Sequence, residues 1–346
     1  MNVLIRADAS TQVGLGHAMR CLALAQECRA GGGRPIFALA QELHSLEHRL
    51  DVEGIDFMHL NVPIGTSEDA TETSKVARAR GLSWIIADGY RFGADYQRSI
   101  KALGLSLLAL DDYGQCSFYS ADLVLNPNLH ALAETYHRRE PSTRLLLGPY
   151  FAPLRQEFLN CRPPRRPAPE LARKILVTLG GGDPDNITLK VLRALRFVET
   201  HDLEIRVVIG GANPHQEALA AEVESSPFTT TLLRNVTAMP DLMIWADMAI
   251  SAGGSTCWEM AFLGLPAALI VAAENQRLIA ASLGTTGSAI DLGWHESVSE
   301  KAIASGVSRI LSSADLRTKM SEIGRSLVDG QGSKRVIAAM CGQGAN

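Results

Sequence analysis

A glycine loop carrying a histidine lies near the start of the chain. The run Gly14-Leu15-Gly16-His17 stands between a strand-like segment and a helical pattern. It is not the dinucleotide-binding fingerprint, because Met19 occupies the position of the third glycine. At a helix N-terminus the helix dipole disfavours an imidazolium and favours a neutral ring that can accept a proton. His17 is therefore interpreted as a candidate base, and a packed or capping histidine is the alternative.

A second glycine loop lies in the other half of the chain. A buried strand is predicted to end at Ser251, and Gly253-Gly254 turn the chain into a helix capped by Ser255 or Thr256. Free amides at such a helix start bind pyrophosphate, and glycines let it approach the backbone. Glu259 follows Ser255 by one helical turn, where its carboxylate is placed for ribose hydroxyls. The alternative is a tight turn with a capping serine.

Two further loops are predicted at the same sheet edge. Asn275 and Gln276 begin a helix after the next strand-like run, and Gly180-Gly181-Gly182 follow the first strand of this half. Alone, the two amides would be helix caps. Beside a nucleotide-binding loop, they are predicted to contact sugar or phosphate, and the glycines to supply further amides.

One motif with metal-binding spacing receives a structural interpretation. Asp183-Pro184-Asp185 has the D-x-D spacing of metal-dependent sugar transferases, but it stands between a glycine turn and a helix start. Proline suits the first helical turn and aspartate suits capping, so no metal site is predicted. The sequence has no H-E-x-x-H, Walker A or G-x-S-x-G motif, which excludes zinc peptidase, P-loop ATPase and α/β-hydrolase chemistry.

Alternating strands and helices must position these loops. Short apolar runs separated by helical patterns, such as the one over 17–30, predict parallel sheets with right-handed crossovers. The predicted strands are 2–7, 35–40, 56–60, 84–88, 106–110 and 123–126 in the first half, and 174–179, 204–209, 229–233, 248–251, 267–272 and 288–291 in the second. The predicted helices of the second half are 214–224, 240–245, 255–262 and 275–283, with helical patterns over 299–328 and 333–341.

The domain organisation follows from this alternation. The proline- and arginine-rich segment 161–169 is interpreted as an interdomain linker, with an ordinary surface loop as the alternative. We predict an N-terminal domain over 1–160, a C-terminal domain over 170–330 and a last helix within 331–346 that crosses back to the first domain. Two such α/β domains leave a cleft between the carboxyl ends of their sheets.

Composition indicates a globular cytoplasmic protein. The 346 residues are 46% hydrophobic and 20% charged, and a net charge of −4 lacks the basic footprint of a nucleic-acid binder. The six cysteines include no C-x-x-C pair, which favours a reducing compartment over a disulfide framework or a zinc site. The longest apolar stretch, 260–273, is shorter than the roughly 20 residues of a membrane span, and the N-terminus has no signal-peptide pattern.

Several of these motifs resemble one enzyme family. Arg6-Ala7-Asp8 with 14–20 resembles the N-terminal motif of the UDP-sugar hydrolases of pseudaminic acid biosynthesis, which act on UDP-2,4-diacetamido-2,4,6-trideoxy-β-L-altropyranose. The block 250–276 resembles these hydrolases and also the group around the lipid-II N-acetylglucosaminyltransferase. The runs 84–90, 111–112, 147–150 and 154–158 are similar to the hydrolases as well, so the resemblance extends to about residue 300.

The resemblance implies a GT-B fold, in which two Rossmann-like domains with parallel sheets face each other across a cleft and the C-terminal one holds UDP. It implies that His17 activates water for attack at the anomeric carbon, that Glu259 binds ribose and that the backbone of Val236 reads uracil. The implied sugar-binding residues are Gly16, Arg20, Tyr90, Asn275 and Gln276. The implied UDP-binding residues are Gly181, Gly182, Val236, Met239, Gly254, Ser255, Thr256 and Glu259.

The predicted activity is thus hydrolysis of a UDP-linked diacetamido-trideoxyhexose, with C–O cleavage and inversion. No metal, cofactor, nucleic acid or membrane partner is expected, and the oligomeric state stays open. A GT-B glycosyltransferase with a UDP-amino-sugar donor and a binding module without catalysis are the alternatives. Two departures from the family pattern occur: Gly89 stands where relatives carry histidine, which bears on sugar specificity, and 180–183 varies on a G-G-x-D theme.

Overall fold

The computed structural model describes residues 1–8, 15–161, 168–200, 202–211 and 213–342. The chain forms two compact units, one of Met1–Gln156 with Gly330–Asn346 and the other of Glu157–Asp329. Each unit is built on a single parallel sheet. The predicted linker at 161–169 lies mostly outside the described residues.

The first unit contains a seven-stranded parallel sheet. Its elements are β1 (Asn2–Ala7), α1 (Gly16–Ala30), β2 (Arg34–Leu39), α2 (His44–Val52), β3 (Asp56–His59), α3 (Ser67–Ala79), β4 (Trp84–Asp88), α4 (Ala94–Ala102), β5 (Ser106–Leu110), β6 (Leu123–Asn126) and β7 (Arg144–Leu147). The strand order is β3-β2-β1-β4-β5-β6-β7. Because the winding reverses between β1 and β4, the carboxyl ends of these two strands form the topological switch point, where α/β proteins bind ligands.

Apolar residues explain why these strands lie at the centre. Val3 and Ile5 of β1 pack with Leu22 of α1 on one face of the sheet, while Leu4 packs with Ile85 of β4 on the other. A parallel strand covered on both faces needs such a continuous apolar run. The same burial places the last residue of β4, Asp88, at the bottom of the switch point with no exposed surface.

The second unit repeats the scheme with six parallel strands. A short helix, α5 (Gln156–Asn160), leads into this unit, and its first residue still belongs to the first unit. The further elements are β8 (Lys174–Thr178), α6 (Ile187–Leu195), β9 (Glu204–Ile209), α7 (Gln216–Glu224), β10 (Thr229–Arg234), α8 (Met239–Trp245), β11 (Met248–Ala252), α9 (Thr256–Leu263), β12 (Ala267–Val271), α10 (Arg277–Thr286), β13 (Ala289–Trp294), α11 (Glu300–Leu311) and α12 (Ala314–Leu327). The order β10-β9-β8-β11-β12-β13 puts its switch point between β8 and β11.

The last helix belongs to the first unit. In α13 (Gly332–Met340), Val336, Ala339 and Met340 join the apolar cluster that also contains residues of α1. The helix starts against the chain at Ala152, since a Cβ on Gly332 would lie 2.2 Å from the Ala152 carbonyl oxygen. Glycine is therefore required for this close approach.

The structure contains most of the predicted strands and helices. Each predicted strand is present with its ends shifted by at most three residues, and both sheets are parallel. Strand β7 was not predicted, and the helical pattern over 299–328 is two helices, because Ser313 starts α12 by accepting the amide of Leu316 at 3.2 Å. In the described ranges, no helix is both long and apolar enough to cross a membrane.

Candidate functional site

The switch point of the first unit brings His17 to Asp88. Strands β1 and β4 pair in register, and the amide of Asp8 donates to the Asp88 carbonyl oxygen at 2.7 Å. Helix α1 begins at Gly16 beyond the end of β1, so His17 stands in its first turn above the end of β4. His17 Nδ1 and Asp88 Oδ1 are 2.8 Å apart, and both side chains are buried.

This contact determines the tautomer of His17. Burial alone would raise the pKa of the Asp88 carboxyl, but the charges and hydrogen bonds of Arg20 and His17 hold that pKa well below its usual range. An ionised carboxylate only accepts hydrogen bonds, so Nδ1 of His17 must carry the proton and donate it. In the neutral form of this ring the lone pair is then on Nε2, as a general base requires.

Arg20 joins two carboxylates one helical turn further on. Its Nε and Nη2 each lie 2.6 Å from an oxygen of Asp88, and its Nη1 lies 2.6 Å from Asp112 Oδ1. Nη2 is also 3.2 Å from His17 Nδ1, but both atoms are donors, so they approach each other only because both bind Asp88 Oδ1. Burial would lower the pKa of Arg20, but Asp112 and Asp88 raise it well above the ordinary value.

The predicted role of Arg20 changes in this light. The sequence predicts a sugar contact, whereas the structure directs the guanidinium to Asp88 and Asp112. A bidentate arginine fixes a carboxylate in both position and plane. We therefore assign Arg20 the role of positioning Asp88, which in turn orients His17. A direct contact between Arg20 and sugar stays a prediction.

Tyr90 completes the network beside the imidazole. Its hydroxyl donates to Asp112 Oδ2 at 2.9 Å, and its ring meets the His17 ring edge-on, with centroids 5.0 Å apart. Between Asp88 and Tyr90 stands Gly89, with φ of +150° and an ideal Cβ position only 2.5 Å from the Cβ of Asp8. The backbone of this chain thus accepts only glycine at this position.

The sequence analysis did not select Asp88 and Asp112 as site residues; they entered only as parts of a resemblance. A usable signal was present, because a charged residue at or just beyond the end of a buried strand must have a partner. Asp112 is further anchored by its carbonyl oxygen, which lies 2.8 Å from His130 Nε2 and 3.3 Å from Asn128 Nδ2.

In the second unit, the predicted glycine loops surround the switch point of β8 and β11. Gly181 and Gly182 follow β8, and the Gly181 carbonyl accepts the amide of Gly210 at 3.1 Å. Gly254 follows β11, and no atom lies within 4 Å of where its Cβ would be. A backbone with this open side is accessible to a phosphate.

The start of α9 differs from the prediction in one respect. Ser255 occupies the N-cap position, as predicted, but it is in a helical conformation and its side chain makes no capping hydrogen bond. The amides of the first turn therefore lack that internal acceptor. Glu259 lies in the same first turn, as the sequence places it.

The remaining predicted residues lie on neighbouring loops of the same edge. Gln276 Oε1 accepts the amides of Gly253 at 3.2 Å and Ala272 at 2.9 Å, so this side chain joins two loops. Asn275 stands beside it in the turn before α10. Val236 follows β10, and Met239 begins α8.

Asp183 caps a helix, as the sequence predicts. Its carboxylate accepts the amides of Ile187 at 2.8 Å and Thr188 at 2.9 Å, which caps α6. Among the described residues, no group of three histidine, cysteine, aspartate or glutamate side chains is arranged to hold a metal ion.

Known proteins resemble the chain in part or over its whole length. Residues 174–332 match the model of the glycosyltransferase family 28 C-terminal domain. The chain is 29% identical to the spore coat polysaccharide biosynthesis protein SpsG of Bacillus subtilis, over 98% of each chain. It is 26% identical to the UDP-2,4-diacetamido-2,4,6-trideoxy-β-L-altropyranose hydrolase of Campylobacter jejuni, over 63% of this chain and 73% of that one.

Solved structures define the fold. The crystal structure of MurG from Acinetobacter baumannii aligns with a TM-score of 0.68 at 15% identity, covering 99% of both chains. The predicted fold class, α/β with two Rossmann-like domains of the GT-B type, is thereby confirmed.

Proposed function

We propose that this protein hydrolyses a UDP-linked 2,4-diacetamido-trideoxyhexose to the free sugar and UDP. The observation that carries the proposal is the His17–Asp88 pair, locked by Arg20 at the switch point of the first unit. The Campylobacter relative with the named hydrolase activity and the family 28 match to the second unit support a nucleotide-sugar enzyme. Pseudaminic acid biosynthesis is the pathway this substrate implies.

The chemistry assigns one role to each unit. His17 Nε2 accepts a proton from water, the oxygen forms a bond to the anomeric carbon, and the C–O bond to UDP breaks with its electron pair passing to the phosphate oxygen. A positioned base of this kind contributes about 10²–10⁴-fold. In the second unit, amides of the loops that contain Gly181, Gly182, Gly254, Ser255 and Thr256 receive the diphosphate, so its charge is met without a metal.

The other predicted contacts belong to the same proposal. Glu259 accepts hydrogen bonds from ribose, the backbone of Val236 reads uracil and Met239 packs near the base. Tyr90, Asn275, Gln276 and Gly16 contact the sugar. Attack on the side opposite to UDP produces inversion at the anomeric carbon.

The test is turnover of a panel of UDP-amino sugars by the pure protein in EDTA, with UDP release as the signal. In ¹⁸O-labelled water, the label is expected in the sugar. Label in UDP would mean attack at phosphorus and would refute the mechanism. His17→Ala is expected to lose about 10²–10⁴-fold in kcat, whereas His44→Ala, which removes a 91% exposed imidazole from the same unit, serves as the matched control.

A glycosyltransferase is the second candidate, favoured by the match of residues 174–332 to a glycosyltransferase domain. It requires an acceptor hydroxyl in place of water. Turnover that appears only when a sugar or lipid acceptor is added, with no donor hydrolysis in its absence, would support this alternative against the hydrolase.

A further inference from the structure

Two tyrosine rings lie exposed in contact with each other beside His17. Tyr90 is 38% exposed and Tyr113 is 45% exposed. Their centroids are 6.0 Å apart with the planes inclined by 30°, and Tyr90 is the ring that meets His17 at 5.0 Å. Both belong to the large apolar side chains that are exposed in the described part of the chain, and they form an aromatic pair with each other. The pair therefore makes an apolar surface that leads away from the imidazole.

The segment that carries Tyr113 is held firmly. The buried carboxylate of Asp111 accepts the amide of Tyr113 at 2.8 Å and that of Gly114 at 2.6 Å. Gln115 Nε2 donates to the carbonyl oxygen of Gly89 at 3.3 Å, which ties this loop to the turn before Tyr90. The backbone beneath the exposed ring is thus fixed by several bonds. A fixed loop that presents an aromatic ring to solvent is a preorganised contact surface.

Tyr90 is fixed in a complementary way. Its hydroxyl is used by Asp112, so the ring cannot turn away without breaking that bond. What the pair offers to a ligand is chiefly its π-surface, which is electron-rich over the ring face. The C–H groups of a pyranose, polarised by the neighbouring oxygens, and the methyl groups of acetamido or deoxy substituents are suited to such a surface. A charged diphosphate is not.

We propose that Tyr113, together with Tyr90, forms a stacking platform for the pyranose ring of the substrate, and that Tyr113 determines specificity for sugars with apolar substituents. This inference rests on the proposed function, since it takes the group next to His17 to be the sugar of a nucleotide sugar. The platform is separate from the UDP-binding loops, which belong to the second unit.

The experiment compares Tyr113→Ala, Tyr113→Phe and Phe197→Ala with the wild type. Phe197 is a half-exposed aromatic residue that follows α6 in the other unit, so its removal controls for loss of an exposed ring. Tyr113→Ala is expected to raise KM for the UDP-sugar about 10-fold, the loss of one aromatic stacking contact. Inhibition by free UDP is expected to stay unchanged. Phe197→Ala is expected to match the wild type, and Tyr113→Phe, which keeps the ring, is expected to have a KM well below that of Tyr113→Ala.

Three results would overturn the inference. In the first, the wild type is active and Tyr113→Ala has the same KM. In the second, KM and the inhibition constant for UDP rise together, which would assign the ring to the nucleotide. In the third, Tyr113→Phe loses as much as Tyr113→Ala, which would assign the role to the hydroxyl.

The proposed function can fail separately. If the wild type hydrolyses none of the UDP-sugars, calorimetry with UDP-N-acetylglucosamine and with UDP on wild type and Tyr113→Ala replaces kinetics. A loss of about 10-fold in affinity for the sugar nucleotide alone would retain the platform while the hydrolase proposal falls. Equal affinities in both proteins for both ligands would refute the platform as well.

Discussion

Replacing Asp88 by asparagine tests whether the tautomer of His17 controls activity. The carboxylate accepts a hydrogen bond from Nδ1–H of His17 at 2.8 Å, which leaves the lone pair of the neutral ring on Nε2. An asparagine of the same shape can present its amide group to Nδ1 as a donor. The imidazole then places its proton on Nε2, and that nitrogen can no longer act as a base.

The size of the effect follows from what is lost. A correctly positioned general base contributes about 10²–10⁴-fold, so Asp88→Asn is expected to lower kcat by this factor while KM changes little. Arg20 keeps its 2.6 Å contact with Asp112, which limits the structural damage. Asp56→Asn is the matched control, because that carboxylate is 55% exposed and pairs only with exposed Arg34 among its described contacts.

The assay is initial-rate UDP release across pH, with circular dichroism to verify the fold. The double variant His17→Ala/Asp88→Asn is the decisive protein. If Asp88 acts only through His17, the double variant is no slower than His17→Ala alone. Multiplied losses in the double variant would refute the reasoning, and so would a wild-type kcat in folded Asp88→Asn.

Three more outcomes are expected. Burial would raise the pKa of Asp112, but Arg20 lowers that pKa below its usual range. The ionised Asp112 therefore stabilises the fold above about pH 4, and this stabilisation is lost as the pH falls further. The difference in unfolding free energy between wild type and Asp112→Asn should shrink from pH 7 to pH 3, and a constant difference would contradict this. Gly254→Ala should leave the melting temperature unchanged, because the site of its Cβ is open, but should weaken UDP binding in calorimetry by about 10-fold if phosphate contacts that backbone. Gly89→Ala should destabilise the protein by about 1–3 kcal/mol in denaturant unfolding, since its Cβ would lie 2.5 Å from the Cβ of Asp8; Gly93→Ala, whose Cβ meets nothing within 4 Å, is the control.

The strands were predictable because parallel sheets need continuous apolar runs. Segments such as 84–88 and 267–272 are apolar on both faces, and the structure confirms them as β4 and β12. Strand β7 was not predicted because its three successive leucines, 145–147, do not distinguish a short strand from a helical segment. The break between α11 and α12 escaped because the helical pattern continues across Ser313, and only its side-chain cap reveals the new start.

The site was predictable in part for a related reason. His17 and the glycine loops could be identified from short stretches of sequence, because their residue types and spacing are characteristic. The partner of His17 stands 71 residues away along the chain, and only the pairing of β1 with β4 brings it close. The platform residue Tyr113 had no local signal at all, since exposed tyrosines are common and only the contact with Tyr90 distinguishes this one.

The charges of the network bear on how the base works. Two carboxylates, Asp88 and Asp112, contact one guanidinium, that of Arg20, so these three side chains together have one more negative than positive charge. In the proposed reaction, His17 would take a proton from the attacking oxygen, and the imidazolium would balance that excess. The attraction between the imidazolium and the carboxylates would therefore develop together with the proton transfer and be largely absent before it. An interaction that is stronger in the transition state than in the ground state is one that accelerates a reaction. Because the carboxylates are held by Arg20 before the reaction begins, no reorganisation is needed when the proton arrives. The same argument holds whether the oxygen belongs to water or to an acceptor hydroxyl, so the dependence of UDP release on an added acceptor, and not the loss of activity in Asp88→Asn, separates the hydrolase from the glycosyltransferase.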